Sequence, residues 1–223
     1  MTSCEKNKKE SIGFINNEKD YNTVTEYMSQ PIKIMISSSI YGFEDTIRQV
    51  AALLETMGYT VISSLLGTVK VHPDKSNLDN SLLAVEECDI FLGFIRTFCG
   101  TGQIGEKNIT FEEFKHAIEL GKPYWFMAEH DVEFSRKLFR NGIAPKDSNV
   151  HDIWEVIKAN RKVFDPMCID MYNTIIKNEE RDIPSRTGNW VQPFYCIDDI
   201  RRYVEKQFSD VQYIQELIEA NEE

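Results

Sequence analysis

The sequence I-T-F-E-E-F-K-H-A-I-E-L-G-K, which runs from Ile109 to Lys122, predicts a short helix with a polar loop in front of it and a strand behind it. Thr110 is a favourable N-cap residue, and Glu113, three residues later, completes the pattern of a capping box. Gly121 is typical of the position just after a helix, and Pro123 cannot continue the helix. The stretch therefore indicates a loop, a helix and a strand in succession, as an α/β fold requires.

The two adjacent glutamates of this helix have different predicted surroundings. One helix face carries only polar side chains and is expected to face water: Glu112, Lys115, His116 and Glu119. Glu113 instead shares its face with Ala117 and Leu120, which places a carboxylate on the inward side. It either caps the helix through the Thr110 backbone N–H or acts as a catalytic carboxylate over a cleft at the end of a sheet. Spacing alone leaves both interpretations open.

The composition describes an acidic chain with enough apolar residues for a large core. Of its 223 residues, 42% are hydrophobic, and 36 Asp and Glu against 25 Lys and Arg give a formal net charge of −11. This charge argues against sequence-independent binding to nucleic acid, which requires a cationic surface. It also argues against attachment to an anionic membrane. We therefore expect neither partner.

The cysteines and the apolar runs predict a cytoplasmic protein. The five cysteines are scattered and odd in number, with no C-x-x-C spacing, so neither a disulfide framework nor a metal site is expected. No apolar run approaches the length of a membrane span, and the first residues lack the apolar core of a signal peptide. Reduced thiols fit the cytosol best.

Apolar segments alternate with helical patterns along most of the chain. Strands are predicted at 32–36, 59–63, 89–95, 123–127 and 190–195. Helices are predicted at 43–57, 77–88, 109–120, 197–208 and 211–220. This order predicts an α/β domain over 31–223, with a doubly wound parallel sheet of about five strands. Residues 129–189 are predicted as a helical insertion before the last strand, and residues 1–30 as an N-terminal tail or appended helix.

Two groups of residues follow predicted strands and are candidates for ligand binding, because open α/β sheets bind ligands at the carboxyl ends of their strands. Ser37, Ser38 and Ser39 follow the first strand, where they could hold phosphate or ribose oxygens or simply cap the next helix and fill a turn. Arg96 and Phe98 follow the third strand. Arg96 could pair with a phosphate or with a surface acid, and Phe98 could stack on a base or enter the core. Glycine-rich dinucleotide and P-loop motifs are not found, and the histidines form no recognisable triad.

Three stretches together resemble a known family. They are K-I-M-I-S-S-S-I-Y-G-F-E-D-T-I-R, E-C-D-I-F-L-G-F-I-R and T-F-E-E-F-K-H-A-I-E-L-G-K-P-Y, within residues 32–127. The chain resembles the TIR-like domain of unknown function found in bacterial signalling and defence proteins, among them Thoeris-type antiphage TIR proteins. The wider relatives are TIR domains and nucleoside deoxyribosyltransferases, and the resemblance implies a flavodoxin-like sheet. The aspartate-glycine-threonine stretch of the transferases is missing, with Glu106 as a candidate substitute, and 129–190 has no counterpart.

The resemblance implies a function and assigns roles to the candidate residues. Enzymatic relatives break an N-glycosidic bond with a glutamate at the position of Glu113. NAD would be the substrate rather than a cofactor, with Ser37–Ser39 on the ribose–phosphate side and Phe98 or Tyr41 against the base. The expected product is ADP-ribose or a cyclic derivative used as an antiviral signal, made by a homo-oligomer or read by an effector protein. Two alternatives are a non-catalytic interaction or ligand-sensing module, and a nucleoside or nucleotide N-glycosylase or deoxyribosyltransferase.

Overall fold

A parallel five-stranded sheet forms the centre of the domain that begins at Pro31. The structure is a computed structural model, and it describes residues 30–100, 102–104, 107–140, 164–177 and 190–222. Its parallel strands are β1 (Lys33–Ser38), β2 (Thr60–Ile62), β3 (Ile90–Ile95), β6 (Tyr124–Glu129) and β7 (Val191–Phe194). Two short strands, β4 (Gln103–Ile104) and β5 (Lys107–Asn108), pair separately as an antiparallel ribbon.

The strands lie in the order β2-β1-β3-β6-β7. Counting only strands of this sheet, that is the order 2-1-3-4-5 of flavodoxin-like folds. β3 is buried along its whole length, as a central strand of a doubly wound sheet should be, and β7 is an edge strand, where Pro193 is tolerated. The predicted α/β class and doubly wound sheet are confirmed.

Helices cover both faces of the sheet, and alternate residues of each strand point into the hydrophobic cores on the two faces. On one face α1 (Glu44–Thr56), α6 (Ile197–Phe208) and α7 (Val211–Glu222) pack on the even-numbered residues of β3. On the other face α2 (Asn77–Glu87), α3 (Ile109–Glu119), α4 (His130–Arg140) and α5 (Met167–Ile175) pack on its odd-numbered large residues. This period of two follows from strand geometry and fixes which face each helix covers.

Gly93, in the middle of β3, allows α3 to approach the sheet closely. A Cβ atom added there would lie 2.5 Å from the Phe126 ring and 3.0 Å from the Phe114 ring. The rings of Phe114 and Phe126 pack with their centroids 4.9 Å apart, and both side chains are buried. Because Phe114 is the neighbour of Glu113 in α3, this contact also fixes the distance of Glu113 from the sheet.

Several predicted boundaries differ from the structure. β1 runs on through Ser37 and Ser38, because their pairing with Gly93 and Phe94 of β3 continues past the apolar residues. Leu120, expected inward, is 44% exposed because the helix ends before it.

The predicted insertion contains α4 and α5 where it is described. Residues 141–163 and 178–189 of the predicted insertion, residues 1–29 of the predicted tail, and Glu106 lie outside the described residues. None of the described helices combines the length and the apolar character needed to cross a membrane.

Candidate active site

A cavity of about 630 Å³ opens at the carboxyl ends of β1 and β3. The chain leaves β1 toward β2 on one side and continues to β3 on the other, so the cavity lies at the point where the sheet order reverses. Open α/β sheets bind their ligands at this position. The lining comes from the end of β1, from the loops after β1, β2 and β3, and from the N-terminal turns of the helices that follow these loops.

Glu113 lines this cavity as a buried acid, with 7% of its surface exposed. Its Oε2 accepts a short hydrogen bond from the hydroxyl of Ser37 at the end of β1. The hydroxyl of Ser81, on α2, also hydrogen-bonds the carboxyl group. Three elements therefore converge on one carboxyl group, and the prediction of an inward-facing Glu113 is confirmed.

The capping interpretation of Glu113 is wrong, because Asn108 caps α3. The Asn108 side-chain oxygen accepts a hydrogen bond from the Phe111 N–H at 3.0 Å, and its amide nitrogen donates to the Cys99 carbonyl at 2.9 Å. Thr110 lies inside the helix rather than at its cap. The buried Asn108 amide thus links the start of α3 to the loop after β3. Because Asn108 caps the helix, the Glu113 carboxylate does not serve as a cap and faces the cavity.

Burial raises the pKa of Glu113 above its ordinary value, and the hydrogen bonds from Ser37 and Ser81 lower it again in part. Within the described part of the chain, no Lys, Arg or His forms an ion pair with this carboxyl group. Desolvation without a compensating cation favours the protonated acid. A positively charged group entering the cavity would reverse that balance and favour the carboxylate.

The three predicted serines have different roles in the structure. Ser37 binds Glu113, whereas the Ser39 hydroxyl donates to the Phe98 carbonyl and so joins the loops after β1 and β3. The Ser38 hydroxyl donates to the Ser39 carbonyl at 3.1 Å. All three line the cavity, but only Ser37 touches the acid.

Tyr41 and Phe98 form an aromatic edge at the mouth of the cavity. Their ring centroids lie 6.2 Å apart at an interplanar angle of 72°, and Tyr41 is 80% exposed. An exposed ring beside the cavity offers a flat apolar surface for a heterocyclic base. The structure therefore brings together the predicted residues Glu113, Ser37–Ser39, Tyr41 and Phe98.

Arg96 does not line this cavity. Its Nε donates to Glu129 at 2.8 Å, its Nη1 donates to the Tyr41 carbonyl at 2.7 Å, and its guanidinium lies over the Phe43 ring. It borders a separate depression of about 580 Å³. Of the two interpretations that the sequence left open for Arg96, the structure shows the ion pair.

Two polar residues of α2 were missed in the sequence. Ser81 reaches Glu113, and the buried Asn80 holds the loop after β2 by accepting from the His72 N–H at 2.7 Å and donating to its carbonyl at 3.1 Å. The signal for Ser81 was its spacing from Asn77, a second polar residue that lies one helical turn earlier and also lines the cavity. Such a pair at the carboxyl edge of the sheet indicates a cavity.

The described lining of the cavity is rich in hydroxyl and amide groups and carries two acids, Glu44 and Glu113, with no Lys, Arg or His. Among the described residues, no group of three or more potential metal ligands lies together. The described lining therefore supplies carboxyl groups and neutral hydrogen-bonding groups, but no basic side chain that would pair with a phosphate. The four cysteines in the described ranges are free thiols.

Comparison with known proteins identifies a family. No curated protein and no solved structure matches this chain. A family model described as a domain of unknown function, DUF4062, matches residues 33–209. That range begins at β1, ends just after α6 and contains every cavity residue described above. Because the match covers most of its length, the chain belongs to the DUF4062 family.

Proposed function

We propose that this protein cleaves the N-glycosidic bond between nicotinamide and ribose in NAD, with Glu113 as the acting carboxyl group. The observation that carries the proposal is a buried carboxyl group, with no Lys, Arg or His paired to it among the described residues, in a cavity at the sheet's ligand-binding edge. An unpaired buried carboxyl group lowers stability and is therefore a functional-site candidate.

The chemistry needs one carboxylate beside the anomeric carbon. The C–N bond breaks with its electron pair going to nicotinamide, which leaves as a neutral base, and positive charge develops on the ribose. Glu113 stabilises that charge as an ion pair or as a transient ester. Water then attacks the anomeric carbon and loses a proton to give ADP-ribose, or a nucleophile of the same molecule attacks to give a cyclic product.

Substrate binding supplies the ionised form of Glu113. The nicotinamide ring of NAD carries a positive charge, and its arrival favours release of the proton from the buried acid to solvent. Ser37 and Ser81 then stabilise the carboxylate by hydrogen bonds. The aromatic edge of Tyr41 and Phe98 is suited to a base, and Ser38 and Ser39 are suited to ribose or phosphate oxygens.

The resemblance to TIR-like defence proteins supports a role for the product as a signal in antiviral defence. It also supports a homo-oligomeric active form or an effector protein that responds to the product. The free thiols support a reducing cytosol as the place of the reaction. On this proposal NAD is consumed as a substrate, and no further cofactor takes part.

A second candidate is cleavage or transfer at the glycosidic bond of an uncharged nucleoside. One observation favours it: the described cavity lining has no basic side chain to pair with a pyrophosphate. A nucleoside makes no such demand. The carboxyl group would act in the same way at the anomeric carbon.

The test is incubation of purified protein with NAD, nicotinamide riboside and a panel of neutral nucleosides, followed by mass spectrometry of free bases and sugar products. We expect nicotinamide release from NAD and a fall of about 10³-fold in the Glu113→Gln variant. Glu112→Gln is the matched control, since that carboxylate pairs with Lys115 outside the cavity. The assay is repeated over a series of protein concentrations, because a homo-oligomeric active form would lose activity on dilution.

Four outcomes separate the possible functions. Release from NAD that depends on Glu113 supports the proposal, whereas release from neutral nucleosides alone supports the second candidate. Equal rates in the wild type and Glu113→Gln contradict both. Ligand binding without turnover would indicate a non-catalytic sensing module instead.

A further inference from the structure

Two loops form facing walls of the Glu113 cavity, and one guanidinium group joins them. The loop after β1 contributes Ser39 and Tyr41, and the loop after β3 begins with Arg96. Arg96 Nη1 donates to the Tyr41 carbonyl at 2.7 Å and to the Ser39 carbonyl at 3.3 Å. Both acceptors are backbone atoms, so the contact fixes the path of the chain rather than one side chain.

Glu129, the last residue of β6, holds the other side of this arrangement. Its Oε1 accepts from Arg96 Nε at 2.8 Å. Its Oε2 accepts from the Thr97 backbone N–H at 2.7 Å and from the Thr97 hydroxyl at 2.9 Å. Both carboxylate oxygens are therefore engaged, and the first two residues of the β3 loop are bound to a rigid strand.

This ion pair is more protected than a surface pair. The Arg96 and Glu129 side chains are 12% and 22% exposed, and the guanidinium lies 4.6 Å from the Phe43 ring centroid. Charge-assisted hydrogen bonds in partly dry surroundings hold geometry better than solvated pairs do.

Two further contacts extend the arrangement. The Thr97 carbonyl accepts from the Asp165 N–H at 2.7 Å, which links the segment before α5 to the same loop. The Ser39 hydroxyl donates to the Phe98 carbonyl, a second tie between the two walls. The positions of Tyr41 and Phe98 at the cavity mouth therefore depend on the contacts of Arg96 and Glu129, together with the Ser39–Phe98 hydrogen bond.

We propose that Arg96 and Glu129 are positioning residues that set the aromatic mouth of the Glu113 cavity and thereby the affinity for the base of the substrate. The kinetic part rests on the proposed glycosidic cleavage, whereas the structural part does not. Neither side chain contacts Glu113, so the chemistry of the carboxyl group is left to Ser37 and Ser81. Loss of the pair should loosen binding and leave the chemical step almost unchanged.

The structural test is hydrogen–deuterium exchange on Glu129→Gln and Arg96→Lys in the full-length protein. We expect exchange to rise about tenfold at amides of residues 39–43 and 97–100, and to stay at wild-type levels in β1 and β3. Glu87→Gln is the matched control, because the Lys33–Glu87 pair has a similar distance of 3.0 Å but lies at the opposite end of the sheet.

The kinetic test measures KM and kcat for NAD in the same variants. We expect KM to rise about tenfold, with kcat within about twofold of the wild type. The KM of the double variant should be no higher than that of the more impaired single variant, because both substitutions break the same ion pair.

Unchanged exchange in the two loops overturns the proposal, and so does an increase that spreads through β1 and β3, which marks general destabilisation. A fall in kcat with an unchanged KM overturns it as well. If the wild type cleaves no glycoside but exchange rises in both loops alone, the positioning role stands and the proposed function fails.

Discussion

Replacing Glu113 by glutamine should change stability and activity in opposite directions. Glutamine has nearly the shape of a protonated glutamate, and its amide can keep one hydrogen bond with Ser37 and one with Ser81. It cannot ionise. The substitution therefore removes only the charge that burial disfavours, together with the carboxylate that the proposed reaction needs.

The sign of the pH dependence follows from the direction of the pKa shift. Burial raises the pKa of Glu113 above the ordinary value of 4.5, so the folded protein keeps this proton at pH values where the unfolded chain has lost it. The free energy of unfolding contributed by this group is fully present below pH 4.5 and is lost as the pH rises through the folded pKa. Glutamine suffers no such loss.

The magnitude can be bounded from this linkage. Within the window between the two pKa values, the stability advantage of Glu113→Gln should grow by up to about 1.4 kcal/mol for each pH unit. For a domain of this size, that corresponds to about 3–5 °C in Tm per pH unit. Below the window the two proteins should differ by no more than about 0.5 kcal/mol. Activity should fall about 10³-fold at every pH where the wild type is active.

The assay is urea denaturation, followed by circular dichroism, at closely spaced pH values from about 4 to about 8. Glu112→Gln serves as the control for removal of a carboxylate from the same helical turn. Parallel curves for the wild type and Glu113→Gln would refute the reasoning, because they would mean that the carboxyl group pays no desolvation cost on folding.

Three further substitutions test the site's construction. Gly93→Ala should destabilise the domain by about 1–3 kcal/mol in urea denaturation, since its Cβ would lie 2.5 Å from the Phe126 ring and 3.0 Å from the Phe114 ring of α3; a neutral effect would contradict this close packing over β3. Asn108→Ala should lower the Tm by the equivalent of about 2 kcal/mol, because both a helix cap and a buried hydrogen bond are lost. Ser37→Ala should move the acid limb of the pH–activity profile upward, because a hydrogen bond that lowers the pKa of Glu113 is removed; an unmoved limb would separate Ser37 from the titrating group.

The fold could be predicted because local patterns and sheet topology agree. The helical spacing of Phe43 and Ile47 and the apolar run in β3 both match the buried residues of the structure. The inward face of α3 was also visible from the spacing of Glu113 and Ala117. These signals depend on periods of 3.6 and 2, which a single sequence records directly.

Contacts between distant residues could not be predicted in the same way. Thr110 is the better cap by local pattern, but Asn108 also serves the Cys99 carbonyl, a contact that only the folded loop creates. Likewise the partner of Arg96 is Glu129, on the next strand of the sheet, and no spacing rule selects it. The sequence therefore predicted the edge of the sheet where the candidate site lies, but not that Arg96 would pair with Glu129 instead of lining the cavity.

The surroundings of Glu113 argue for selection on function rather than on stability. A buried acid that served only structure would gain from a cationic partner, or would be replaced by a neutral residue at little cost. Here the described neighbours are two hydroxyls, which hold the carboxyl group in place and leave it able to take up or release a proton. A fixed cation would hold the group permanently ionised and neutralised. With hydroxyl partners the carboxyl group instead stays protonated until a ligand brings a positive group, as the nicotinamide ring of NAD would, and it then ionises.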